Sequence, residues 1–137
     1  MTSTDEAAGP RLAILIAEPH PDGAETLACL LRLYGHSVNV ARDAREALGA
    51  AAESVFDVLI VEPRLPGMDG WELARRLRAS ADHLTCIAVT SCGRPEDRTR
   101  SRAAGIVLHL LKPAEPDALV AALARLARAK SGELQPA

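Results

Sequence analysis

Short apolar runs alternate along the chain with stretches of helical periodicity, repeating about every 20–25 residues. Residues 12–17 (LAILIA) are an unbroken apolar run, the pattern of a strand covered on both faces. Asp22 is expected to open the first helix, with Glu25 three residues on at capping-box spacing. Leu27, Leu30, Leu31 and Tyr34 then share one inner face, and Gly35 ends the helix. Ser37–Ala41 (SVNVA) alternates as a second strand, and Asp43 with Glu46 repeats the cap before an alanine-rich helix that closes near Glu53. Residues 57–61 (DVLIV) are a third buried strand that runs into Glu62 and the loop PRLPGMDG. Asp69 caps a third helix whose inner residues are Trp71, Leu73, Ala74 and Leu77. Thr85–Thr90 (TCIAVT) is a fourth strand, followed by a break at Gly93 and Pro95 and a polar helix near 96–104. Ile106–Leu111 (IVLHLL) is a fifth strand, closed by Lys112 and Pro113, and Pro116 suits the first turn of a last helix reaching to about Ala129. Residues 1–10 and 131–137 read as disordered tails around one domain at 11–130.

Five βα units with buried-type strands predict an α/β fold: a parallel sheet with helices on both faces. Right-handed crossovers prune the topologies, leaving the doubly wound, flavodoxin-like order 2-1-3-4-5 as the expectation. In that order the residues just past the carboxyl ends of the strands converge where the winding reverses. They are Glu18 and Pro19 after the first strand, Glu62 after the third, Thr90 at the end of the fourth and Lys112 after the fifth. Two carboxylates, a hydroxyl and an ammonium in one cleft suit a phosphoryl-group site, where carboxylates hold Mg²⁺ or attack phosphorus and the other groups contact phosphate oxygens.

Composition narrows the partners. The 137 residues carry 16 Lys and Arg against 18 Asp and Glu, a net charge of −2 that gives no broad basic surface for nucleic acid. Tyr34, Phe56 and Trp71 are the sole aromatics, so base- or sugar-stacking platforms are not expected. Cys29, Cys86 and Cys92 are odd in number and lack CxxC spacing, against a disulfide framework or structural zinc. Cys86 is expected in a buried strand and Cys29 in a helix core, while His20, His36 and His83 are expected at the surface. Residues 1–10 lack an apolar core for a signal peptide, and no stretch approaches a membrane span, so a reducing, cytoplasmic setting is the default.

Four motifs in order now carry a resemblance. DVLIV at 57–61 with its loop, LPGMDG intact at 65–70, AVTS at 88–91 and Leu111-Lys112-Pro113 resemble a response-regulator receiver domain of bacterial two-component signalling, over about residues 11–130. The resemblance implies a phosphorylated aspartate at the end of strand three, two adjacent acids after strand one, and Mg²⁺ held by these and by a backbone carbonyl two residues past the acceptor. It also implies a partner-binding face built from helix four, strand five and helix five, and a cis peptide before Pro113.

This chain departs from that pattern in two places. The acceptor position is Glu62, and the paired acids are reduced to one: Glu18 followed by Pro19 or, with the register shifted by one, Ala17 followed by Glu18. What remains for Mg²⁺ is Glu18, Glu62 and the backbone carbonyl of Arg64, a degraded and weak site. The extra methylene of Glu62 moves its carboxylate outward by about 1.5 Å, a misplacement on the scale that costs ~10²-fold in rate. The same reach places a negative charge where a phosphoryl oxygen would sit, within range of Lys112 and Thr90. The expectation is therefore a stand-alone signalling module, not an enzyme, that binds a histidine kinase or effector protein without normal aspartyl phosphorylation. Glu62 would mimic the phosphorylated state, and Arg98, Arg102 and the switch-position His109 would face the partner. The small residues of the last helix leave a homodimer open. A conventional phosphorylatable receiver is the first rival. The second, a flavodoxin-like small-ligand binder, is disfavoured because the loop 18–22 (EPHPD) is acidic and rich in proline, with no GxGxxG or P-loop glycines to cradle phosphate.

Overall fold

The structure, a computed structural model, describes residues 11–130. The expected tails at 1–10 and 131–137 lie outside the described residues. Five parallel strands, β1 (Ala13–Ala17), β2 (Ser37–Ala41), β3 (Val58–Val61), β4 (Thr85–Thr90) and β5 (Ile106–Leu111), pair in the order β2-β1-β3-β4-β5. They alternate with α1 (Pro21–Leu33), α2 (Ala44–Glu53), α3 (Gly70–Ser80), α4 (Pro95–Ala103) and α5 (Pro116–Lys130). The doubly wound topology expected from the apolar runs is the one observed.

The three central strands contribute to both cores because their side chains alternate between the two covered faces. Leu15, Leu59, Cys86 and Ala88 pack with Ala47, Leu73, Ala74 and Leu77 beneath α2 and α3. Ile14, Ile16, Ile60 and Ile87 pack with Ala28, Leu31, Leu119 and Leu123 beneath α1 and α5. Burial pushes the Cys86 thiol up to about 12, so it behaves as a small apolar residue.

Two of the predicted helix caps hold. Asp43 accepts from the Glu46 amide at 2.8 Å and Asp69 from the Glu72 amide at 2.9 Å. The first does not: His20 is the N-cap of α1 with no side-chain cap bond, because Pro21 starts the helix one residue before Asp22, which falls inside the first turn. Three further expectations are corrected. Tyr34 is 45% exposed, since the helix has already ended at Leu33, and Ala24, Ala28 and Leu31 supply the buried face instead. Cys29 points outward beside Glu25. His36 is buried: its Nδ1 accepts the Leu12 amide at 3.1 Å, tying the start of β2 to the start of β1, and burial lowers its pKa.

Candidate functional site

The strand register decides which residues meet. Ala17 pairs with Val61, Val61 with Ala88, and Thr90 with Leu111, so β1, β3, β4 and β5 end at one edge. Glu18, Glu62, Thr90 and Lys112 are thereby gathered from positions up to 94 residues apart. Three of the four are buried: Glu18 is 7% exposed, Glu62 4% and Thr90 0%.

Lys112 joins the two acids. Its Nζ donates to Glu18 Oε1 at 2.6 Å and to Glu62 Oε1 at 3.0 Å. The other Glu62 oxygen, Oε2, accepts the Thr90 hydroxyl at 2.7 Å and the Arg64 amide at 2.9 Å. Thr90 Oγ1 in turn accepts the Cys92 amide at 3.1 Å. The remaining Glu18 oxygen, Oε2, accepts the His20 amide at 3.1 Å and the His20 ring Nδ1 at 2.7 Å. A carboxylate only accepts, so Nδ1 carries the ring proton in that contact.

Burial works to raise the pKa of the Glu18 carboxyl, but the Lys112 and His20 hydrogen bonds outweigh it and hold the group below its ordinary value. Burial likewise works to lower the Lys112 pKa, and the two carboxylates overcome it, keeping the ammonium protonated above its usual range. Two carboxylates therefore share one internal cation, and every carboxylate oxygen has at least one donor.

The loop after Glu62 is shaped by glycine. The Gly70 amide donates to the Pro63 carbonyl at 2.8 Å, and a Cβ on Gly70 would stand 2.7 Å from the Glu62 carbonyl oxygen and from Pro63 Cα. Only glycine lets α3 begin so close to the acidic strand end. The Lys112–Pro113 peptide is cis.

A second polar chain runs from the site toward α4. Past the Thr90–Cys92 contact, the Cys92 carbonyl accepts from His109 Nε2 at 2.7 Å; a carbonyl only accepts, so Nε2 is protonated. His109 Nδ1 pairs with the Ser101 hydroxyl at 2.8 Å, and Ser101 Oγ also accepts Trp71 Nε1–H at 3.0 Å. Arg100 lies 3.9 Å over the Trp71 ring and also pairs with Asp69. His109 is thus half-buried with both nitrogens turned inward, not a free contact group at the surface. Arg98 is half-buried, reaching the His109 carbonyl at 3.4 Å, while Arg102 is exposed. The roles of His20, Ser101 and Trp71 left no sequence signal, because each depends on a neighbour brought close only by folding.

A Mg²⁺ ion at the expected set of Glu18, Glu62 and the Arg64 carbonyl would have to compete with Lys112 for both carboxylates. Glu18 and Glu62 already hold the same ammonium, and the residues on either side of Glu18, Ala17 and Pro19, are not acids. Among the described residues no group of three or more His, Cys, Asp and Glu side chains is arranged to hold a metal ion.

Comparison with known proteins follows the same lines. Residues 14–124 match the family described as response regulator receiver domain. The chain is 34% identical over 116 residues to the Sensor protein EvgS of Escherichia coli (strain K12), which covers 85% of this chain and 10% of EvgS. It is 33% identical over 115 residues to the Transcriptional regulatory protein TcrA of Mycobacterium tuberculosis, covering 84% of this chain and 46% of TcrA. The chain therefore spans a tenth to about half the length of these relatives. Among solved structures, the signal receiver domain of an HD domain-containing protein from Pseudomonas fluorescens Pf-5 superposes with a TM-score of 0.81 at 28% identity, covering 92% of this chain and 99% of that one.

Proposed function

Because this chain belongs to the response-regulator receiver domain family, we propose that it works in two-component signalling by binding a partner protein, with Glu62 as a built-in anion in place of a transient phosphoaspartate. The observation that carries this reading is the commitment of both Glu62 oxygens, one to Lys112 and the other to Thr90 and Arg64. A nucleophilic carboxylate must present an oxygen to phosphorus in line with the leaving group. Here Oε2 already accepts two hydrogen bonds, and Oε1 could attack only through the lone pair left beside the Lys112 ammonium. Phosphorylation would also bring further negative charge to a site in which one ammonium already serves two carboxylates.

The same bonds support the mimicry. Lys112 and Thr90 are the cation and the hydroxyl that would otherwise contact a phosphoryl oxygen, and here both contact glutamate. No step in this reading passes through a metal ion. The output surface we assign is α4–β5–α5, where Arg102, Val107 and Leu111 are exposed and Arg98 half-exposed. His109 acts on that surface from within, by bonding the β4–α4 loop to α4. The partner is a histidine kinase or an effector protein, and the setting cytoplasmic. No helix among the described residues is long and apolar enough to cross a membrane.

Partner capture with native protein, Glu62→Gln and Glu62→Asp tests the proposal. Gln keeps the shape and removes the charge, so binding should weaken with Gln while the native protein binds without any phosphoryl donor. Binding that appears only after phosphorylation would assign the chain to the conventional receivers instead.

A further inference from the structure

A groove adjoins the acidic site and shares Glu18 and Lys112 with it. It opens between α1 and α5, with a volume of about 600 Å³. Leu27 and Leu30 form one wall, Pro113 and Leu119 the other, and Val89 the floor. That volume is within the range of small-molecule sites, which are mostly apolar with a few polar groups at fixed places. At Gly23, on the α1 rim, an added Cβ would meet nothing within 4 Å, so the rim itself is open.

The polar groups lie at one end. Glu18, Asp22 and Lys112 border the groove there, next to the strand ends. Lys112 already faces two carboxylates, Glu18 and Glu62, so its charge is more than balanced within the protein. Asp22 is exposed in the first turn of α1, and its carboxylate has no cation beside it among the described residues. This end of the groove therefore carries excess negative charge, with an apolar trough running away from it.

We propose that the groove binds a small organic cation, its apolar body along Leu27, Leu30 and Leu119 and its ammonium or amidinium at Asp22 and Glu18. Anionic ligands are disfavoured because the one lysine at the mouth is occupied by the protein's own carboxylates. The site is coupled to Glu62 through Lys112: a ligand cation that takes over part of Glu18 leaves Lys112 more fully on Glu62. The proposal does not depend on Glu62 mimicking a phosphoryl group. An acyl phosphate found at Glu62 would end that reading and leave the groove as it is.

Three probes of one shape separate the contributions: 2-naphthylmethylamine, the neutral 2-naphthylmethanol and anionic 2-naphthoate. Each is titrated into the ¹⁵N-labelled chain and followed by amide chemical shifts. The amine should shift the amides of Gly23, Leu27, Leu30 and Ala114. The alcohol should bind weakly, with a dissociation constant on the order of 1 mM for a ligand of this size. The amine should bind about five-fold tighter, the size of a partly exposed ion pair, and the carboxylate weakest of the three. Asp22→Asn should bring the amine down to the level of the alcohol. Gly23→Phe, which adds a side chain into open space, should abolish binding of both while the thermal midpoint stays level or rises. Equal affinity for amine and carboxylate, shifts centred elsewhere, or binding indifferent to Gly23→Phe would overturn the proposal.

Discussion

Removing the ammonium from between the two acids puts the site's electrostatics to a quantitative test. In Lys112→Met the aliphatic stem is nearly kept, while Glu18 and Glu62 lose the cation that each holds within 3.0 Å. Breaking a buried ion pair by deleting one partner costs about 3–5 kcal/mol, because the charge left behind stays buried. The Lys112 side chain is 29% exposed, so water already screens part of that interaction, and Glu62 keeps its Thr90 and Arg64 donors. The expected loss is about 2–3 kcal/mol at about pH 7.5. The pH dependence has a definite sign. With Lys112 gone, two like charges face each other in a buried site and one carboxyl's affinity for a proton rises above its unfolded value. Stability recovered by protonation then appears as the pH falls, so the deficit relative to native protein should shrink toward about 1 kcal/mol near pH 5. Urea unfolding of both proteins at the two pH values measures this directly. A deficit below about 0.5 kcal/mol at the higher pH, or one that grows on acidification, would refute the bridging role.

His36 is held neutral by burial, so its folded pKa lies below its unfolded value; native stability should fall as the pH drops below the unfolded pKa toward the folded one, and His36→Gln should flatten that part of the urea-derived profile. Ser101→Ala leaves Trp71 Nε1–H and His109 Nδ1 without their shared partner and should cost about 2 kcal/mol by chemical denaturation, with a change in Trp71 fluorescence. Gly70→Ala forces a Cβ to within 2.7 Å of the Glu62 carbonyl and Pro63 Cα and should cost about 1–3 kcal/mol in the same assay. Asp57→Ala removes the acceptor for both the Ala13 amide and Lys130, and should cost about 1–2 kcal/mol, most of it from the amide, since the lysine is half exposed.

The sheet was legible because strands covered on both faces must be apolar throughout, and LAILIA, DVLIV and TCIAVT leave no other reading of their period. Strand order alone brings Glu18, Glu62, Thr90 and Lys112 to one edge, since parallel strands present their carboxyl ends together. What escaped were contacts settled by tertiary geometry. His36 looked like a surface residue, yet the amide of Leu12 needed an acceptor where β1 begins, and an imidazole nitrogen supplied it. Pro21 displaced the expected cap at Asp22 because its fixed φ suits the first helical position. The inward turn of His109 required knowing that Ser101 and Cys92 flank it, residues on elements that the sequence does not place beside each other in detail.

The chemistry available to Glu62 can be measured directly. Native protein incubated with Mg²⁺ and acetyl phosphate, or with an active histidine kinase, should show by intact mass no stoichiometric gain of a phosphoryl group, because both glutamate oxygens stay with Lys112, Thr90 and Arg64. A stoichiometric, acid-stable and base-labile phosphoryl group mapped to Glu62 would contradict it.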